Sequence, residues 1–170
     1  MQLSECTIKD IETLIAITHQ TYREHYQYLW KDKGAFYIQG QYNQAAFKAE
    51  LSDKNVLLYL IEEEDEIIGF LKLNKDAALQ EYSEKEALEL ERIYLCQKAT
   101  EKGIGQEVMK TVEHTAKQLN KKVIWLKTMD SSGADKFYEK CGYEICGATR
   151  LKIEGIYPHL QRQLVMKKIL

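Results

Sequence analysis

The sequence predicts a mixed α/β domain: a single, mostly antiparallel sheet flanked by helices, with a parallel βαβ unit at its centre. Three observations predict it. The stretch "NVLLYLIEEEDEIIGFLKLN" (55–74) holds two apolar runs around an acidic turn, the pattern of an antiparallel hairpin whose tip stays in water. "LELERIYL" and "VIWLKTM" read as strands separated by a long amphipathic segment, and strand–helix–strand implies parallel strands joined by a right-handed crossover. Tyr143–Cys146 and Leu164–Ile169 form a closing antiparallel pair.

The elements follow in order. Thr7 and Asp10 are spaced as a capping box, with Asp in place of the usual Glu or Gln. Ile8, Ile11, Leu14, Ile15 and Thr18 then recur at helical spacing. A second helix is expected over Asn43–Leu51, with Ala46 and Phe47 inward. The hairpin strands are Val56–Ile61 and Ile67–Asn74. "ALELERIYLC" alternates apolar and charged residues, as a half-buried strand does. After the turn "QKATEKGIG", the residues Ile104, Val108, Met109, Val112, Ala116 and Leu119 mark one helix face. "SSGADKFYEKCGYEICG" gives a short helix ending near Gly142, glycine being a common helix C-terminal residue.

No repeat, low-complexity segment or linker divides the 170 residues, so 1–170 is expected to be one domain. A net charge of −2 and a pI near 6.1 supply no global basic field, so a nucleic-acid partner is not expected. No apolar run approaches the ~20 residues that span a bilayer, and the opening lacks a signal pattern. A cytoplasmic location without a membrane partner is therefore expected. Cys6, Cys96, Cys141 and Cys146 form no CxxC pair, and no spaced histidine pair completes a zinc pattern. Reduced thiols and no metal are expected.

Gly103 and Gly105 stand where a helix must begin, although glycine inside a helix costs about 1 kcal/mol relative to alanine. The gain is either packing or ligand binding. A helix start has amides without internal partners, and glycine lets a phosphate approach them. Gly-x-Gly alone is weak: no third glycine completes a dinucleotide pattern, and no Lys-Ser ending makes a P-loop.

The succession of "LERIYL", a turn with "GIG", a long helix, an apolar strand and "FY" resembles the GNAT family of N-acetyltransferases. The resemblance runs from the first helix to the last strand and is sharpest from Leu88 to Gly142. "LELERIYL" and "ADKFYEKCGY" are most similar to the bacterial spermidine/spermine N-acetyltransferases. It implies the GNAT-like acyl-CoA N-acyltransferase fold and acetyl-CoA as cosubstrate. Backbone groups of Ile93, Tyr94 and Leu95 would pair with the pantetheine arm. The pyrophosphate would rest on amides of Glu101, Lys102, Gly103, Ile104, Gly105 and Gln106. Ser131, Ser132, Gly133 and Ala134 would supply the remaining CoA contacts. The family turn usually opens with Arg or Gln and then Gly; here Thr100 and Glu101 stand there, and Ser131 replaces a common asparagine. The Glu101 side chain is expected to face solvent, with Lys102 offsetting its charge.

Tyr138 matches the family tyrosine that faces the thioester sulfur, and Glu91 the position that contacts the amine in polyamine acetyltransferases. Glu89 lies two residues from Glu91 and so points to the same face. A strand amide, that of Tyr94 or Leu95, would stabilise charge on the carbonyl oxygen as the amine attacks. The implied activity is direct acetyl transfer within a ternary complex to a small amine, with a polyamine leading. A protein N-terminus, a lysine or an amine drug would suit the same chemistry, and a non-catalytic CoA sensor is the alternative. Acceptors would meet Tyr22, Tyr26, Tyr28, Trp30, Phe36 and Tyr37, through cation–π contact worth about 0.5–2 kcal/mol each. Core packing or a homodimer contact would use the same aromatics.

Overall fold

The computed structural model describes residues 1–100 and 102–170 of the chain. Glu101, one of the expected phosphate-facing residues, lies outside the described residues. Seven strands form one sheet: β1 (Gln2–Glu5), β2 (Val56–Glu63), β3 (Glu66–Asn74), β4 (Ala87–Leu95), β5 (Val123–Met129), β6 (Glu144–Arg150) and β7 (Arg162–Ile169). Their order is β1-β2-β3-β4-β5-β7-β6. Only β4 and β5 pair in parallel, linked by α4 (Ile104–Gln118); the other neighbours are antiparallel. This is the mixed sheet with a central βαβ unit that the pattern predicts.

Helices cover both faces. On one, α1 (Ile11–Tyr26), α2 (Ala35–Gln41) and α3 (Gln44–Ser52) bury Leu14, Ile17 and Phe47 against Leu58, Leu60 and Phe70. On the other, α4 and α5 (Asp135–Lys140) bury Val108, Val112 and Tyr138 against Leu88, Leu90, Ile124 and Leu126. The Thr7–Asp10 capping box forms: Asp10 Oδ2 accepts from the Thr7 amide at 2.7 Å, ahead of α1. Asn43 caps α3 by accepting from the Ala46 amide at 2.9 Å. The hairpin turns on Glu64 and Asp65, both at positive φ, which matches the right-handed twist of the strands it joins.

Some expectations need correction. Leu119 is not on the buried face of α4; it is the C-cap and stands exposed. Ala46 is only half-buried beside the buried Phe47. β1 and α2 were not expected at all. The four-residue β1 is too short to show a period, and α2 sits inside an aromatic-rich stretch whose turn residue, Gly34, adopts φ +81°.

The alternation in β4 breaks midway. Leu73 opposes Leu90 but Lys72 opposes Arg92, so Glu91 is an extra residue, a β-bulge. Leu90 and Ile93, three apart, therefore pack on the same α4-facing core. Glu91 and Arg92 both turn to the α1–α3 face, where they pair with Glu50 of α3 and Lys72. Pairing of β4 with β5 runs from Ala87↔Val123 to Leu90↔Leu126 and stops at the bulge, while β5 stays paired with β7 through Met129. The sheet thus opens between β4 and β5.

Opposite the opening, β3 presses hard on β4. A Cβ at Gly69 would lie 2.3 Å from the Tyr94 carbonyl oxygen and 3.2 Å from Leu95 Cα. Backbone cannot move aside as a side chain can, so Gly69→Ala is expected to destabilise the fold by about 1–3 kcal/mol. A urea titration against wild type measures it.

Candidate functional site

The opening is lined as a groove of about 610 Å³, whose walls include His25, Tyr26, Ile93, Leu95, Gly103, Gly105, Phe137, Tyr138 and Lys140. A second cavity of about 310 Å³ lies on the α1–α3 side, bounded by Tyr22, Tyr37, Tyr42, Glu89, Glu91, Arg92 and Lys127 among others. Tyr26, Ile93, Tyr94 and Tyr138 line both spaces, so groove and cavity meet at these four residues.

The bulge decides which backbone groups face the groove. The Cys96 amide donates to Ile68 O on β3 at 2.7 Å, and peptide groups alternate along a strand. The polar backbone groups of Leu95 and Ile93 therefore turn away from β3 towards the opening, and those of Tyr94 turn to β3. The closeness of the Tyr94 carbonyl to Gly69 agrees. Of the three residues expected to offer backbone groups, Tyr94 contributes its ring to the wall instead. The Leu95 carbonyl already accepts from His25 Nε2 at 2.8 Å, which leaves its amide open.

The two glycines have different reasons. Gly103 is the N-cap of α4 at φ +80°, a conformation costly for other residues, and a Cβ there would meet nothing within 4 Å. A Cβ at Gly105 would lie 3.1 and 3.2 Å from the Phe137 ring, so Gly105 serves close packing of α4 on α5. The amide of Gln106 is taken by Gly103 O at 3.0 Å, and those of Ile104 and Gly105 have no acceptor among the described residues. The Ile104 side chain is buried in the core, and Lys102 lies exposed outside the groove lining.

Of the segment 131–134, only Ala134 lines the groove. Ser131 Oγ pairs with the Tyr28 hydroxyl at 3.0 Å. Ser132 Oγ donates to Met129 O at 2.6 Å and accepts from the Ala134 amide at 3.2 Å, a local brace for the start of α5. Gly133, at φ +70°, supplies the turn between them.

Tyr138 is buried at the junction, edge-on to Phe137 at 5.2 Å. Burial pushes its phenol far above the ordinary tyrosine range, reinforced by Tyr26 and Tyr143, so it stays protonated at neutral pH. Glu89 and Glu91 do share a face: Asn74 Nδ2 donates to both carboxylates at 2.8 Å. Glu91 also pairs with Lys72 at 2.8 Å and Arg92 at 2.9 Å. Burial would raise its pKa, but Arg92, Lys72 and Asn74 together outweigh that and hold it below the usual carboxylate range.

Of the six aromatics expected around an acceptor, Tyr22, Tyr26 and Tyr37 line the cavity. Trp30 is buried in the core, its Nε1 donating to the Tyr22 hydroxyl at 2.9 Å; Tyr28 and Phe36 are exposed. Sequence reasoning missed Tyr42, Arg92, Lys127, His25 and Lys140. Arg92 had a signal: "ER" in "LELERIYL" places two charges in succession where alternation allows one. Tyr42 had none, because its position depends on the unexpected α2.

The Acetyltransferase (GNAT) family model matches residues 15–143. The chain is 28% identical over 147 residues to the uncharacterized N-acetyltransferase in the pepI 3' region of Lactobacillus delbrueckii subsp. lactis, covering 84% of this chain and 82% of that protein. Among solved structures it is similar to PaiA N-acetyltransferase from Thermoplasma acidophilum in complex with coenzyme A, with a TM-score of 0.76, 20% identity and full coverage of both chains. It is also similar to ribosomal-protein-alanine N-acetyltransferase from Brucella melitensis, with a TM-score of 0.67, 17% identity and full coverage of both.

The charge cluster makes a stability prediction. Lys72 bridges Glu50 and Glu91, each at 2.8 Å. Lys72→Met should leave the two carboxylates sharing the single cation Arg92 and cost about 3 kcal/mol, the low end for a broken buried pair because Glu91 keeps some solvent contact and its bond from Asn74. Chemical denaturation at neutral pH checks it.

Proposed function

This chain belongs to the GNAT family of acetyltransferases, and from that premise we propose that it carries an acetyl group from acetyl-CoA to a primary amine, foremost that of a polyamine such as spermidine or spermine. One observation carries the reading: the groove and the cavity share the wall made by Tyr26, Ile93, Tyr94 and Tyr138, so a donor in one can meet an acceptor in the other.

In this reading the pantetheine arm lies along the outward backbone of Ile93 and Leu95. The pyrophosphate meets the amides of Ile104 and Gly105 at the start of α4, with the positive end of that helix and Lys140 favouring its charge. The acceptor arrives as an ammonium. Losing its proton at pH 7 costs about 4.6 kcal/mol for a pKa near 10.4. Glu91 attracts the cation and passes its proton outward through water, since so weak a base cannot keep it. Arg92 and Lys72 temper that attraction, so the ammonium is not held too tightly to release its proton. The Leu95 amide suits the role of donor to the thioester oxygen as charge develops there. Tyr138, kept as a phenol, donates to the sulfur as the thiolate departs. Tyr138 regains a proton from the acylated nitrogen as that nitrogen becomes a neutral amide, so transfer in concert with departure leaves neither a phenolate nor a thiolate in the junction.

Two tests follow. Tyr138→Phe and Glu91→Gln should each lower kcat with spermidine about a hundredfold, within the usual range for removal of a proton-transfer group, while CoA affinity is retained. Free-thiol release from acetyl-CoA reads this. CoA bound without turnover of any amine would favour a sensor. Gly103→Val should remain folded yet lose CoA binding by calorimetric titration, because its side chain would enter the approach to the amides of Ile104 and Gly105.

A further inference from the structure

Glu91 is paired with Lys72, Arg92 and Asn74, but Glu89 is differently served. Its Oε2 accepts from Asn74, and its Oε1 has one cationic partner among the described residues, Lys127, at 3.2 Å. Lys127 lies on β5 beside the Glu89 strand, where Trp125 is the register partner of Glu89. Its ammonium sits 4.8 Å from the centre of the Trp125 ring. The Glu89 side chain is 12% exposed and that of Lys127 41%, so in the cavity that both line the carboxylate is sheltered and the ammonium reaches solvent.

A lysine side chain is chemically a butylammonium. Carboxylate on one side and indole face on the other are what an alkylammonium ligand seeks. We propose that Lys127 is a specificity-determining residue: its ammonium occupies, on Glu89 and Trp125, the place that a second ammonium of the acceptor would take. This rests on the amine-acceptor reading above. An acceptor with a neutral far end leaves the pair alone. A diamine or polyamine must displace Lys127 from Glu89 to seat its second ammonium, which offsets part of the affinity that the carboxylate gives it while leaving it an acceptor. Lys127 thus grades acceptors by the charge they carry beyond the reacting amine, without touching the reacting end at Glu91.

Putrescine and butylamine share a four-carbon chain and differ by the second amine, so their kcat/KM ratio isolates this effect. Lys127→Ala should raise the putrescine-to-butylamine ratio about tenfold, mainly through the KM for putrescine. Lys127→Arg should keep the ratio near that of wild type. Adding Glu89→Gln to Lys127→Ala should remove the gain, because the vacated carboxylate is what the second ammonium binds. A ratio unchanged in Lys127→Ala, or a gain that survives Glu89→Gln, overturns the proposal. Wild type that acetylates neither amine while its acetyl-CoA binding is intact overturns the acceptor reading instead, and this proposal with it.

Discussion

The extra residue in β4 is the constraint on which the rest of the site depends. Without Glu91 in the register, β4 would continue beside β5 and the sheet would be closed where the groove now lies. One insertion has three consequences. It ends the parallel pairing after Leu90, it turns Ile93 and Leu95 outward, and it sends two adjacent charges to the α1–α3 face. Unpaired backbone groups in a fold interior are unfavourable unless something satisfies them. His25 does so for the Leu95 carbonyl, and the remaining groups are the polar capacity of the groove.

The same insertion explains why α3 docks where it does. Arg92 is largely buried and lies 5.2 Å from the centre of the Tyr42 ring. A guanidinium there needs counter-charge, and Glu50 supplies it from α3 at 3.0 Å. Glu50 in turn brings in Lys72, which reaches back to Glu91. The helix that follows the cavity-lining Tyr42 is thus tied by charge to the strand that opens the groove. Loss of any member leaves two like charges sharing one counter-ion, so the packing of α3 and the bulged strand are energetically coupled.

The long periodic elements were legible in the sequence because period and burial agree there: α1, α4, the β2–β3 hairpin and the β4–α4–β5 crossover all follow their apolar spacing. β1 and α2 were not, being too short for a period to be read. The site was legible in part. Gly103, Ile93, Leu95, Glu91 and Tyr138 are brought to the groove, the cavity or their junction, whereas Ser131, Ser132 and Gly133 brace a turn beside them. Tyr94 shows the physical limit well. It lines the groove, but which way its peptide faces depends on the parity of a strand that carries a bulge. That parity is set by pairing with β3, a long-range fact which no local window contains.

What the acceptor is depends on the wall that the common sheet does not supply. Two neighbours of the same fold carry different names, a PaiA N-acetyltransferase and a ribosomal-protein-alanine N-acetyltransferase, and a fold does not by itself choose an acceptor. In this chain the cavity's fixed charges balance: Glu89 and Glu91 face Arg92 and Lys127, while Glu50 and Lys72 balance each other just behind. A polycation is therefore not drawn in by a net field, and affinity must come at short range. The tyrosines offer that: Tyr22, Tyr26, Tyr37, Tyr42 and Tyr94 form a contiguous set with ring centres 5.2–6.1 Å apart. Burial keeps all five phenols neutral, so their faces remain electron-rich surfaces for an alkylammonium without adding charge of their own. Selection among amines then falls to contacts that a substrate makes or displaces inside the cavity, and such contacts resist screening by salt far better than a surface field would.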